Sequence, residues 1–338
     1  MPNELIKLLE KIPNKPWDWW HLSSNPNIDM KYIEEHPDHP WNWRRINRNP
    51  NITMDYVLSH PHRSWNWDEL SINSGITMKD IESHPDKPWD WDTLSLNKNI
   101  TMEDVEKYPN KPWNWVWLSN NKSITIEDII RHQDKDWDWE LLSQNSNITM
   151  KDVMSHLDMP WSWTFLSANP NIKIEDVTSH REINWNFYSL SCNPSITMKD
   201  IDSHPELDWN WDSMSLNQNI TMKYILSHPH KPWNVTRLSF NPGITMKDIS
   251  ADSDISWRYF WLSNNPNITA EYVLSHPKKA WNWNGISGNL FTRNSVLRSR
   301  ALKKLSMFRD KHKRKIQLRN LYSTSLYSDL ITSISNFI

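Results

Sequence analysis

Histidine is the residue type whose spacing in this chain first suggests chemistry. Nine copies, His36, His60, His84, His132, His156, His180, His204, His228 and His276, are separated by multiples of 24 residues. A regular column of imidazoles is what a ladder of metal sites would need. Copies carried by adjacent layers of packed helices, however, stand about 8–10 Å apart. Two of them are then too distant to share an ion whose bonds to nitrogen are about 2 Å long. A His in the last turn of a helix bonds the terminal carbonyls and complements the helix dipole. A structural role is therefore expected for the column, and no metal.

Other reactive types are scarce. Cys192 is the single cysteine; it allows no intramolecular disulfide and no cysteine metal cluster, and suits a reducing compartment. Four glycines in 338 residues leave no phosphate-cradling loop and no dinucleotide fingerprint. No nucleophile–base pair stands outside the repeat pattern, so neither enzymatic activity nor a cofactor is expected. Asn-Ile-Thr at Asn51, Asn99, Asn147, Asn219 and Asn267 matches a glycosylation sequon, but here it reads as a turn followed by a helix cap.

The elements that position these residues come from one repeated stretch. Trp-x-Trp-x-x-Leu-Ser-x-Asn-Pro-Asn-Ile-Thr-Met-Lys-Asp-Ile-x-Ser-His-Pro recurs twelve times, its first Trp running from Trp17 to Trp281 at intervals of 24 residues, without insertion or deletion. Counting that Trp as position 0, position +1 is Asp, Asn or Ser in every copy but one, where it is Arg258. Those types accept a hydrogen bond from an orphan helix N–H, and the apolar pair at 0 and +5 has the spacing of a hydrophobic staple. Asn at +8, often followed by Pro, reads as a stop, because Asn tolerates a left-handed C-terminal conformation and Pro cannot continue a helix. The grammar then repeats: Ile76, Thr77, Asp80 and Ile81 form one staple and capping box, and the second helix ends near His84-Pro85. Helices of about two turns are marginal alone. Only stacking on neighbours can hold them, which is the logic of a solenoid.

The expected fold is all-α: an α-solenoid of twelve 24-residue units, each a pair of short helices, with capping helices at both ends. A leucine-rich-repeat-like solenoid is the rival, since this repeat length is common there and a recurring Asn looks like an asparagine ladder. The spacing Leu-x-x-Leu-x-Leu is absent, and paired caps and staples have no role in a strand.

Three parts are distinguished. Residues 1–16 align with a second helix, Leu9 at +16 and Pro13 at +20, and read as an N-terminal capping half-repeat. Residues 17–290 are the repeats, and 291–338 a basic amphipathic C-terminal cap and tail. Between Arg293 and Arg319 lie eleven Lys or Arg and one Asp, a net +10 in a chain of net −2. That leaves residues 1–292 at −11, a clear charge asymmetry. Leu297, Ala301, Leu302, Leu305 and Phe308 recur at helical spacing. The basic face, with Arg298, Arg300, Lys303, Lys304, Lys311, Lys313, Arg314 and Lys315, suits an anion, nucleic acid or an anionic membrane. No long apolar span or signal peptide is seen, so a transmembrane segment or secretion is not expected.

Trp at 0 and +2 is demanded by the repeat and reads as core. Trp20 at +3, and Trp117 and Trp261 at +4, are not demanded; an unrepeated aromatic on a solenoid face is a candidate partner anchor. The variable positions +3, +4, +7, +14, +17 and +18 are where binding specificity is expected.

Over residues 17–290 the unit, with its Trp-Asn-Trp, Leu-Ser-x-Asn-Pro-Asn-Ile-Thr-Met and His-Pro, resembles the tandem-repeat proteins of giant DNA viruses of the mimivirus type. The resemblance implies an origin, and with it an infected host cell's cytoplasm, a viral factory or the virus particle. It implies no active site. The expected role is that of a non-catalytic scaffold or adaptor binding a host or viral protein. The alternatives are action on nucleic acid or anionic membrane through the basic segment, and a structural part of the particle.

Overall fold

The computed structural model describes residues 3–251 and 255–291. Among them every regular element is a helix, of four to eight residues, and there is no strand. In chain order they begin with α1 (Glu4–Lys11), α2 (Trp19–Ser24), α3 (Met30–Glu35), α4 (Trp43–Ile46), α5 (Met54–Ser59) and α6 (Trp67–Ser71). Then come α7 (Met78–Ser83), α8 (Trp91–Leu94), α9 (Met102–Lys107), α10 (Trp115–Leu118), α11 (Ile126–Arg131) and α12 (Trp139–Gln144). Next are α13 (Met150–Ser155), α14 (Trp163–Leu166), α15 (Ile174–Ser179), α16 (Phe187–Ser191), α17 (Met198–Ser203) and α18 (Trp211–Met214). The series closes with α19 (Met222–Ser227), α20 (Val235–Ser239), α21 (Met246–Ala251), α22 (Tyr259–Leu262), α23 (Ala270–Ser275) and α24 (Trp283–Gly288). The all-α repeat architecture expected from the sequence is thus what the chain adopts. Even-numbered helices are the first of each pair and odd-numbered ones the second. The described residues form two compact units, one of residues 3–42 with 214–251 and 255–291, the other of residues 43–213.

Both caps lie where the sequence places them. Asp90, Asn114 and Asn186 at +1 accept from the backbone N–H three residues on, while Arg258 makes no such bond. At +12, Thr101, Thr125, Thr149 and Thr197 form full capping boxes with Asp at +15. The helices pack through Leu at +5 and Ile at +11: Leu22, Leu94, Leu142, Leu190, Ile28, Ile76, Ile124 and Ile172 have no exposed surface. Each such burial stabilises by about 1.5–3 kcal/mol, which is what helices too short to stand alone require.

The two Trp of the motif differ. Position-0 Trp is buried in most copies, whereas the +2 Trp is half-buried. In most repeats the edge of the buried indole meets the +2 ring of the preceding repeat: centroids are 5.0 Å apart for Trp19–Trp41, 4.9 Å for Trp67–Trp89 and 5.1 Å for Trp115–Trp137, all near perpendicular. In some repeats a cation two residues before position 0 covers that +2 ring, as Lys111 does Trp91 at 4.6 Å and Arg63 does Trp43 at 3.8 Å. The +2 Trp is therefore an interlayer plate rather than full core.

Asn at +8 corrects one expectation. Asn25, Asn145 and Asn289 end their helices in extended, not left-handed, backbone. The residue is fixed instead by tertiary bonds. Asn169 Nδ2 donates to the carbonyls of Ser143 (2.9 Å), Asn145 (3.0 Å) and Ile148 (3.2 Å), and its Oδ1 accepts from Asn171 N–H (2.8 Å). The same ladder runs through Asn73, Asn97, Asn193, Asn241 and Asn265. An asparagine ladder exists, but between helical turns.

Unit one contains a junction that sequence order hides. Residues 1–16, expected as a terminal cap, place α1 against α23, with Leu5, Leu8 and Leu9 buried. α1 thus holds the second-helix place beside α23, and α2 packs on α24. The expected C-terminal cap and tail lie outside the described residues.

Candidate interaction surface

The His column resolves into helix ends. His84 and His156 are C-caps whose Nδ1 lies 2.9 Å from the carbonyl oxygen four residues back. Where +15 is Tyr the rings also stack, at 4.1 Å for Tyr32–His36 and Tyr56–His60. The backbone carbonyl of each His accepts the indole N–H of the next position-0 Trp, at 2.8 Å for His36 and Trp41. Among the described residues no group of three His, Cys, Asp or Glu side chains is placed to hold a metal ion. The repeat beginning at Trp233 lacks the His; there the indole nitrogen of Trp257 is buried without a partner among the described residues. Cys192 Sγ donates to the Ser189 carbonyl at 3.4 Å, and the residue is half-buried.

Within each unit, one contact joins the +4 side chain of a first helix to the +7 side chain of the repeat before, 21 residues earlier. In unit two this pairs Glu69 of α6 with Arg48, which follows α4, with Arg44 3.7 Å from the same carboxylate. In unit one it pairs Trp261 of α22 with Phe240 at the end of α20, centroids 5.7 Å apart. Phe260 at +3 adds a ring 5.6 Å from Trp261 and is 52 % exposed. Phe240 and Phe260 were not singled out from the sequence; the spacing of 21 residues to Trp261 is the signal for Phe240, and adjacency to Trp261 the signal for Phe260.

The three Trp singled out earlier have different settings. Trp261 belongs to this aromatic trio. Trp20 in α2 sits perpendicular to His21 at 4.5 Å and is half-buried. His21 in turn bonds the Asp18 carboxylate at 2.7 Å. Burial pushes the Asp18 carboxyl up, but the bonds and charge from His21 outweigh it and hold it below the usual carboxylate range. Trp117 in α10 is half-buried in unit two, its N–H capped by Asn114 at 2.9 Å. Arg298, Arg300, Lys303, Lys304, Lys311, Lys313, Arg314 and Lys315 lie outside the described residues.

In unit two the second helices carry ion pairs between neighbouring repeats. Glu82 of α7 accepts from Lys107 (2.7 Å) and Tyr108 (2.9 Å), and these bonds hold its carboxyl below the ordinary value. Glu106 pairs with Arg131 at 2.8 Å. In unit one, α19 and α21 leave an open hollow of about 400 Å³ lined by Met222, Leu226, Lys223, Asp248 and Ala251. Among the described residues no helix is long and apolar enough to cross a membrane. No protein-family model matches this chain, and no curated protein or solved structure matches it.

Proposed function

We propose that the chain is a non-catalytic scaffold that binds another protein through the first-helix face. The observation that carries this is the trio Phe240, Phe260 and Trp261. Where Arg48 and Glu69 place an ion pair in the same register, this part of unit one presents a tilted and an edge-on ring contact, with Phe260 half-exposed. Rigid aromatic side chains cost little entropy to immobilise and dominate binding energy where they are found at interfaces. The setting we propose follows the resemblance to giant-virus repeat proteins: an infected cell or the virus particle, with a host or viral protein as partner.

The test is quantitative capture from infected-cell lysate with the wild-type chain beside Phe260→Ala and Trp117→Ala. For a true anchor, Phe260→Ala weakens the dominant partner by roughly 30-fold, the equivalent of a 2 kcal/mol hot spot, while far-UV circular dichroism stays unchanged. Capture unchanged by Phe260→Ala removes the aromatic trio as the site, and the Trp117→Ala result then decides whether unit two carries it.

The charge of residues 293–319 favours a second reading, association with nucleic acid or anionic membrane. It requires binding that falls steeply with salt through counterion release; salt-independent binding excludes it.

A further inference from the structure

We propose that the junction within unit one is an exchangeable joint: the site on α23 that holds α1 also accepts α1 of a second copy of this chain. The proposal stands apart from the scaffold reading, since the partner is the chain itself.

The ring contact, the cation over the ring, the Ser hydroxyl bond and the Asn amide bonds that link consecutive repeats recur between the last repeat and the first. The Trp17 indole meets Trp283 at 5.1 Å and 73°, and Lys15 covers the Trp283 ring at 5.6 Å. Asp18 N–H donates to Ser287 Oγ at 3.0 Å. Asn25 Nδ2 donates to the carbonyls of Ser287 (2.9 Å) and Asn289 (3.1 Å), and Asn27 Nδ2 to that of Leu290 (3.0 Å). α1 adds its own attachment: the Glu4 carboxylate accepts Ala270 N–H at 2.7 Å, at the first residue of α23.

The difference lies in the chain. Internal neighbours are 19 to 26 residues apart, whereas these partners are separated by 262 to 269 residues. No short connection enforces the pairing; surface complementarity alone does. α1 must stay covered, because Leu5 and Leu8 are fully buried against the array. Once displaced, it is driven back onto an identical site, and the site on another copy is chemically the same. Exchange of an identical element is a low-cost route to association. The intramolecular site wins at ordinary concentration because tethering supplies an effective concentration of about millimolar.

The test uses the full chain carrying Leu5→Asp and Leu8→Asp, which evicts its own α1, and a fluorescent peptide of residues 1–16. The variant is expected to bind the peptide saturably and to gain resistance to urea on binding. The wild-type chain, with its site filled, binds at least about ten-fold more weakly, and a peptide with the same two substitutions binds neither. A folded variant that takes up no peptide overturns the proposal. Should the variant not fold, wild-type chains labelled separately with donor and acceptor dyes are mixed at high concentration, loosened in urea and returned to buffer. Energy transfer in a species of twice the monomer mass supports exchange; monomers alone overturn it.

Discussion

Replacing Asn169 by Ala should destabilise unit two far more than any surface change of similar size. The side chain has no exposed surface. Its amide donates to three carbonyls and its oxygen accepts one N–H. Two Nδ2 hydrogens and one Oδ1 acceptance are three bonds, each worth about 1 kcal/mol net, and stranding a buried group adds about 1–3 kcal/mol. The expected loss is about 4–6 kcal/mol. Asn171→Ala is the control: its Nδ2 bonds two carbonyls, at 2.7 and 3.0 Å, from a half-buried position, so water replaces them and the loss is about 1 kcal/mol. Asn169→Asp separates donor chemistry from shape, because it keeps the outline and turns a carboxylate toward carbonyl oxygens. It should be at least as harmful as Ala at neutral pH and recover in acid as the carboxyl protonates. Urea unfolding followed by tryptophan fluorescence, with hydrogen exchange at Asn171 N–H, reads all three. Equal losses for Asn169→Ala and Asn171→Ala would refute the ladder as the interlayer clamp.

Three further outcomes are expected. Gly285→Ala places a methyl 2.7 Å from Asn264 Oδ1 and 3.1 Å from Ser263 Cβ, an overpacking worth about 1–3 kcal/mol. Asn264 is buried with neither amide atom hydrogen-bonded among the described residues, so Asn264→Ala costs little and rescues Gly285→Ala in a double-mutant cycle of thermal unfolding. His39 lies tilted against Trp19 at 4.4 Å and stacks on His36 at 5.4 Å; burial first, then His36, push its pKa below the ordinary value, with Asp38 pulling the other way. Its contribution is therefore present above the unfolded value near ~6.5 and lost as pH falls through the folded value, so His39→Gln flattens the stability profile there by chemical denaturation. Asp18, also held low, contributes in the same sense at lower pH: stability is present above its unfolded value of about 3.9 and lost below it, and Asp18→Asn removes that acid-side slope.

What could be read from the sequence is what acts within a repeat. The 24-residue period, the caps at Asp90 and Thr101, the buried Leu94 and Ile100, and the helix-ending His84 all follow from interactions spanning a few residues, whose chemistry leaves a local pattern. Helix class and pairing were therefore legible, and so was the choice of +3, +4 and +7 as variable positions.

The tertiary structure decided everything that crosses from one repeat to the next. Ser95 at +6 carried no local signal, yet its hydroxyl bonds the Trp91 carbonyl and accepts Asn114 N–H from the following repeat. Asn169 read as a helix stop and proved to be a clamp between layers. Phe240 and Phe260 gained meaning only beside Trp261, and α1 only beside α23. The physical reason is the same throughout: partners in different repeats lie 19 to 269 residues apart, and a spacing along the chain becomes a contact only when the helices stack.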